Sequence, residues 1–120
     1  MKVIIAGSRT ITDCTIVSEA ISKAGFDITE IVSGGAVGVD RCGEWYAAHH
    51  NIPIKRFLAD WRRYGRKAGP IRNGQMADYA DALVAVWDGA STGTKNMIEL
   101  AERNGLKVFV HNANELVEKQ

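Results

Sequence analysis

Residues 82–94 read ALVAVWDGASTGT, an apolar run that ends in a loop of glycine and hydroxyl residues. The uninterrupted apolar run of residues 82–87 predicts a strand that is buried on both faces, as in a parallel sheet. Similar stretches occur at residues 2–9, KVIIAGSR, and at residues 28–40, ITEIVSGGAVGVD. Each stretch therefore predicts a buried strand that ends at a glycine-bearing loop.

The segments between these strands have helical spacing. Asp13 and Gly25 are a typical cap and stop for a helix over residues 14–24. Pro70 suits the first position of another helix. The remaining predicted elements are helices from residue 40 to about 50 and over 70–80, 94–104 and 112–119 (with Asn112 as cap), strands over 54–58 and 107–110, and an irregular segment over 59–70. This alternation predicts an α/β fold, a Rossmann-like three-layer sandwich with a mainly parallel five-stranded sheet.

Length and composition limit the class of protein. The chain has 120 residues, of which 46% are hydrophobic and 24% are charged. We therefore expect one domain over residues 1–120 and exclude intrinsic disorder. No apolar run approaches a membrane span, so we expect a cytoplasmic protein with no membrane partner. Cys14 and Cys42 have neither zinc spacing nor a disulfide framework, so we expect reduced thiols, no metal and no cofactor.

The positive charge is concentrated in one segment. The whole chain has a net charge of +1, whereas residues 55–72 contain seven Lys and Arg residues and one acid, Asp60. Such a cluster on an otherwise acidic chain indicates an anionic ligand, and a solvated basic face is the alternative. Trp61 and Tyr64 lie among these arginines, where they either stack on a base or pack in the core.

The glycine-bearing loops all follow strands. In an open parallel sheet, ligands bind beyond the carboxyl ends of the strands, so these loops should share one edge. Glycines let backbone N–H groups approach a phosphate, and the helix that follows adds its N-terminal dipole. The candidate ligand- and phosphate-binding residues are Gly7, Ser8, Arg9, Gly34, Gly35, Asp40, Trp61, Arg72, Asn73, Gly89, Ser91, Thr92, Gly93 and Thr94.

Two common nucleotide motifs are missing. Gly34-Gly35-x-x-Gly38 differs from the dinucleotide-binding fingerprint, and the chain has no Gly-Lys-[Ser/Thr] of the Walker type. Asp40 either hydrogen-bonds a ribose hydroxyl, acts as a catalytic carboxylate or merely starts a helix. Glu99 is expected on the solvated surface.

Four blocks of sequence carry a family resemblance. They are Gly7-Ser8-Arg9, the stretch from Ser33 to Asp40, the stretch from Asp60 to Met76, and the stretch from Trp87 to Ile98. Together they resemble the small stand-alone YspA-like branch of the SLOG superfamily, which is found in bacteria and their phages. That superfamily also contains the LOG phosphoribohydrolases and the Smf/DprA DNA-processing proteins.

The resemblance implies a Rossmann-like sheet and a nucleotide-type ligand at the glycine loops. It also implies a homo-oligomer. LOG enzymes have a catalytic glutamate three residues after Gly-Thr, where this chain has Met97 after Gly93-Thr94. We therefore predict a binder or sensor of a nucleotide or nucleotide-derived phosphate and leave enzyme activity open. The alternatives are a nucleotide N-glycosidase with Asp40 as catalytic residue, and single-stranded nucleic-acid binding through residues 55–72.

Overall fold

The computed structural model describes residues 1–113. Its strands are β1 (Lys2–Gly7), β2 (Glu30–Ser33), β3 (Ile54–Arg56), β4 (Ala82–Trp87) and β5 (Lys107–Asn112). They form one five-stranded sheet in the order β3-β2-β1-β4-β5, and every neighbouring pair is parallel. The predicted α/β class is confirmed.

Helices cover both faces of this sheet. They are α1 (Cys14–Ala24), α2 (Val39–His49), α3 (Trp61–Tyr64), α4 (Ala68–Tyr79) and α5 (Thr92–Arg103), with a 3₁₀ turn at Gly65–Lys67. Val3 and Ile5 pack against α1 and α2, whereas Ile4 and Ala6 pack against α4 and α5. Because side chains alternate along a strand, the continuous apolar run of β1 supplies both layers of the core. Among residues 1–113, no helix has the length and apolar character needed to span a bilayer.

The strand order reverses between β1 and β4. The chain runs outward from β1 through β2 to β3, then returns to place β4 on the other side of β1. β1 and β4 pair as far as their carboxyl ends, where Gly7 lies opposite Val86. Such a reversal opens a crevice at the carboxyl edge, because the connections on its two sides leave toward opposite faces of the sheet.

The first helix has the predicted boundaries. The Asp13 carboxylate accepts the N–H of Thr15 at 3.0 Å, and Gly25 ends the helix with φ of +68°. The basic segment differs from the prediction, because α3 and the 3₁₀ turn occupy residues expected to be irregular. Asp60 caps α3 by accepting the N–H of Arg63 at 3.1 Å.

The ends of two predicted helices also change. α4 begins at Ala68, so Pro70 is its third residue rather than its first. β5 continues to Asn112, so the cap predicted there belongs to a strand. The rest of the helix predicted over 112–119 lies outside the described residues.

The expectation of reduced thiols is wrong in this structure. Cys14 and Cys42 are 28 positions apart in sequence and form a disulfide, with their Cα atoms 5.0 Å apart. Cys14 starts α1 and Cys42 lies in the second turn of α2, and these helices pack side by side on one face. No local spacing links the two cysteines, so only the tertiary packing reveals the pair.

Candidate functional site

A cleft of about 780 Å³ lies at the carboxyl edge, where β1 and β4 end. Small-molecule sites typically have volumes of about 300–1,000 Å³. Gly34 and Gly35 line a smaller neighbouring cavity, and Gly89 lines neither space. The predicted site residues that line the cleft are Gly7, Ser8, Arg9, Asp40, Trp61, Arg72, Asn73, Ser91, Thr92, Gly93 and Thr94.

Gly7 lets three elements meet at the base of the cleft. A Cβ at this position would lie 2.0 Å from the carbonyl oxygen of Val86 and 2.8 Å from Cγ2 of Val39. Since real side chains cannot approach so closely, glycine is required where β1 passes between β4 and the start of α2. Gly7 therefore shapes the cleft through the absence of a side chain.

Ser8 joins the loops around the cleft. It is buried, its N–H donates to Val86 O at 3.1 Å, and its carbonyl accepts the N–H of Val39 at 3.4 Å. Its hydroxyl oxygen accepts the N–H of Asp88 at 3.1 Å. The hydroxyl predicted to bind a ligand thus also connects the end of β1 to the loop after β4.

Asp40 is a buried carboxyl group at the start of α2. Only 5% of the residue is exposed, and its Oδ2 accepts the N–H of Ala36 at 3.3 Å. Burial raises the pKa of Asp40 to about 6, while the Ala36 hydrogen bond and the charge of Arg72 limit the rise. A carboxyl group that titrates near neutral pH and lines a cleft is suited to hydrogen bonding or proton transfer.

Arg72 reaches across from α4 and lies near Asp40. Its Nη1 donates to the carbonyl of Gly34 at 2.7 Å, and its Nε donates to Oδ1 of Asn73 at 3.1 Å. A Cβ on Gly34 would lie 2.6 Å from Nη1 of Arg72 and 2.8 Å from Oδ2 of Asp40. Gly34 therefore provides the space in which the guanidinium and the carboxyl group come together.

Asn73 positions neighbouring groups. Its Nδ2 donates to Oδ1 of Asn96 at 2.9 Å and to the carbonyl of Gly93 at 3.3 Å, while its Oδ1 holds Arg72. Since the side chain is buried and its donors are used, we assign it to fixing Arg72 relative to α5.

The loop of residues 88–94 satisfies many of its own hydrogen bonds. Asp88 Oδ1 accepts the N–H groups of Ala90 and Ser91, both at 2.8 Å. These hydrogen bonds, led by that from Ser91, lower the pKa of Asp88. Ser91 then caps α5, with Oγ 3.5 Å from the N–H of Thr94 and 3.1 Å from the Thr94 hydroxyl. Thr92 and Gly93 are the first two residues of α5, where backbone N–H groups have no acceptor within the helix.

Trp61 is an exposed aromatic wall of the cleft. It is 51% exposed, which excludes the core position that was its alternative interpretation. Its ring lies beside Gly69, where an added Cβ would be 3.5 Å from Cη2. Tyr64 is also exposed, but it does not line the cleft.

Sequence reasoning left two charged groups of the cleft out of the candidate site. Arg66 and Asp88 both line the cleft. Arg66 could have been inferred from the basic segment, whereas Asp88 follows a strand directly and could have been recognised from that position. Met97 is buried in the core, and Glu99 is exposed and lies 3.7 Å from Arg103, so Glu99 does not replace the glutamate of LOG enzymes.

Comparison with known proteins agrees with this architecture. Residues 1–64 match the family model described as YspA, cpYpsA-related SLOG (YAcAr). The chain belongs to this SLOG family. The SLOG chain is also 32% identical over 118 residues to the Gene 61 protein of Mycobacterium phage D29, an alignment that covers 90% of this chain and 94% of that protein.

A solved structure has the same fold. DNA processing protein A (DprA) from Streptococcus pneumoniae superposes with a TM-score of 0.72 over 98% of the SLOG chain, at 18% sequence identity. The SLOG chain spans 56% of that DprA chain. At this identity the similarity establishes the fold alone.

Proposed function

We propose that the cleft at the carboxyl edge binds a nucleotide or a nucleotide-derived phosphate. The observation that carries this proposal is the set of arginines Arg9, Arg66 and Arg72, which line one cleft and make no ion pair among residues 1–113. The three arginines outnumber the two carboxylates that line the cleft, Asp40 and Asp88, and the excess of positive charge attracts an anionic ligand. SLOG membership favours a ligand related to nucleotides.

The phosphate is best placed at Arg9 and Arg72. Arginine binds phosphate oxygens through several N–H groups at once, and Arg72 is already oriented by Gly34 and Asn73. At the other end of the cleft, the Ala90 and Ser91 amides already donate to the carboxylate of Asp88. That carboxylate repels an anion, so this end suits the hydroxyl groups of a sugar.

The nucleoside part has two matching groups. The exposed ring of Trp61 offers a face on which a base stacks, and such stacking contributes about 1–3 kcal/mol per base. Asp40 lines the same cleft and accepts a hydrogen bond from a ribose hydroxyl when it is ionised. Base, sugar and phosphate thus each have a protein group of suitable chemistry.

Binding is tested by calorimetry and thermal unfolding with AMP, adenosine and inorganic phosphate. AMP at a hundred times its dissociation constant should stabilise the fold by about 2.7 kcal/mol. Arg9→Gln should weaken AMP binding about tenfold without changing adenosine binding, because only AMP carries the phosphate. Arg103→Gln on α5, which lines neither cavity, is the matched control. An absence of binding by AMP and its guanine counterpart contradicts the proposal.

Asp40 favours a second function, hydrolysis of an N-glycosidic bond. A carboxyl group with a pKa near 6 is suited to general-base catalysis close to neutral pH. Here Asp40 would take a proton from water as the water oxygen bonds to the anomeric carbon of AMP. The bond to adenine breaks, the proton held by Asp40 passes to the departing base, and the products are ribose 5-phosphate and adenine.

Chromatography of AMP after incubation with the protein tests this reaction. Release of adenine that is lost in Asp40→Asn, with AMP binding retained, supports an enzyme. Intact nucleotide after prolonged incubation supports a binder. The nucleic-acid alternative has less support, because Arg56 of the basic segment pairs with Glu44 at 2.8 Å, and Lys55 lines neither cavity.

A further inference from the structure

A second cavity of about 390 Å³ opens beside the main cleft. The two spaces share Arg9, Ala36, Trp61 and Arg72 in their linings. The residues proposed to hold phosphate therefore lie at the junction of two cavities. A ligand whose phosphate rests on Arg9 and Arg72 can extend from there in two directions.

The smaller cavity is more strongly cationic than the main cleft. Arg41 joins Arg9 and Arg72 in its lining, which contains no acidic residue. The main cleft also has three arginines, but Asp40 and Asp88 offset part of their charge. A second anionic group is therefore better accommodated on the side of Arg41.

Apolar side chains form the other wall of the smaller cavity. Leu58, Trp61 and Val37 all line it and are 68%, 51% and 49% exposed. Leu58 lies close to the backbone of Gly35, where an added Cβ would be 2.7 Å from Cδ2 of Leu58. Gly35 has φ of +71°, so its backbone conformation and the space it leaves both favour glycine. This wall provides an apolar surface for a ring.

We propose that the smaller cavity takes the second arm of a two-armed ligand, a dinucleotide whose linking phosphates rest on Arg9 and Arg72. The second ring lies between Leu58 and Trp61, and Arg41 faces the phosphates from the far side. This inference rests on the proposed function, since the first arm occupies the main cleft. It specifies the ligand class as two nucleosides joined by a diphosphate, rather than a mononucleotide.

Calorimetry with AMP, ADP and diadenosine 5′,5′-diphosphate tests the inference, and the same three ligands with guanine in place of adenine are measured alongside. The dinucleotide should bind the wild-type protein about tenfold more tightly than the nucleoside diphosphate, as expected for one stacked ring. Leu58→Ala should remove most of that advantage and leave the affinity for AMP unchanged. The control is Val110→Ala on β5, which also truncates an exposed apolar side chain but lies outside both cavities. It should change neither the affinity for AMP nor that for the dinucleotide.

A second pair of variants tests the charge. Arg41→Gln should weaken binding of the dinucleotide severalfold more than binding of AMP. Arg103→Gln should weaken the binding of neither ligand. If AMP binds but the dinucleotide is no tighter than the diphosphate, or keeps its advantage in Leu58→Ala, the second arm is wrong and the proposed function stands. If no mononucleotide or dinucleotide of either series binds, the proposed function fails as well.

Discussion

The segments 34–40 and 88–94 both follow a strand, both contain glycines and both lead into the first turn of a helix, yet their glycines have different surroundings. A side chain on Gly34 would collide with Arg72 and Asp40, whereas Gly89 and Gly93 face open space. The first loop therefore uses glycine to bring charged groups together. The second uses it to complete a turn. Similar composition thus serves a site in one loop and local folding in the other.

The aspartates of the two loops differ in the same way. Asp40 is buried, and its desolvation raises its pKa to about 6 although Ala36 and Arg72 act against the rise. Asp88 accepts two backbone N–H groups of its own loop, chiefly that of Ser91, so its pKa falls. Burial thus dominates the pKa of the first aspartate, whereas hydrogen bonds from its own turn dominate that of the second.

The largest effect we expect separates Gly38 from Gly89. Their φ angles are nearly equal, +82° and +83°, but a Cβ on Gly38 would lie 2.6 Å from the carbonyl oxygens of Ser8 and Arg9. Gly38→Ala should lower the free energy of unfolding by about 4 kcal/mol, from backbone strain plus the clash. Gly89→Ala should cost about 1 kcal/mol, from strain alone. Urea denaturation measures both, and equal losses would contradict the difference between the loops.

A second test concerns the covalent support behind the first loop. The Cys14–Cys42 disulfide links α1 to α2 close to Asp40, and no bond of this kind supports the second loop within residues 1–113. Reduction should lower the free energy of unfolding by about 3–4 kcal/mol, as expected for closing a loop of this length.

The double variant C14S/C42S is the matched control. It should unfold with the lowered stability in both the presence and the absence of dithiothreitol. If the reductant destabilises this variant as much as it destabilises the wild-type protein, the effect does not come from the disulfide.

The strands and the shared edge were predictable because apolar runs and glycines are local signals. The run at residues 82–87 gives β4 its observed limits, and Asp13 and Gly25 give those of α1. Contacts between distant residues were not predictable in this way. Nothing near Gly34 in sequence indicates that Arg72 will fill the space beside it, and nothing near Cys14 indicates Cys42.

The role of a hydroxyl or amide group was equally hidden. Ser8 and Asn73 have the side chains expected of phosphate ligands, but the hydrogen bonds they make hold the loops together. Residue type gives the capacity to bind, whereas the folded neighbourhood decides how much of that capacity is already used.

The third prediction uses pH to test Asp40. Its folded-state pKa of about 6 lies above the ordinary value of 3.8, so the folded chain binds this proton more tightly than the unfolded chain. The contribution of this protonated carboxyl group to the free energy of unfolding is fully present at low pH, and it is lost as the pH rises from about 4 to about 6. Asp40→Asn should therefore be more stable than the wild-type protein above pH 6, by roughly 2–3 kcal/mol. Denaturation curves at pH 4 and pH 7.5 measure the difference, and an equal gain at both values would contradict it.

The smallest effect is expected at Asp88, with the opposite dependence on pH. Its lowered pKa means that its stability contribution is present above the ordinary value and is lost as the pH falls below it. Asp88→Ala should lower the free energy of unfolding by about 1 kcal/mol at pH 7. The reason is that the amides of Ala90 and Ser91 then lack their carboxylate acceptor and hydrogen-bond to water instead. The difference from the wild-type protein should shrink as the pH is lowered to 3. A loss that stays constant with pH would mean that the carboxylate charge of Asp88 does not support the second loop, and the contrast with Asp40 would then rest on burial alone.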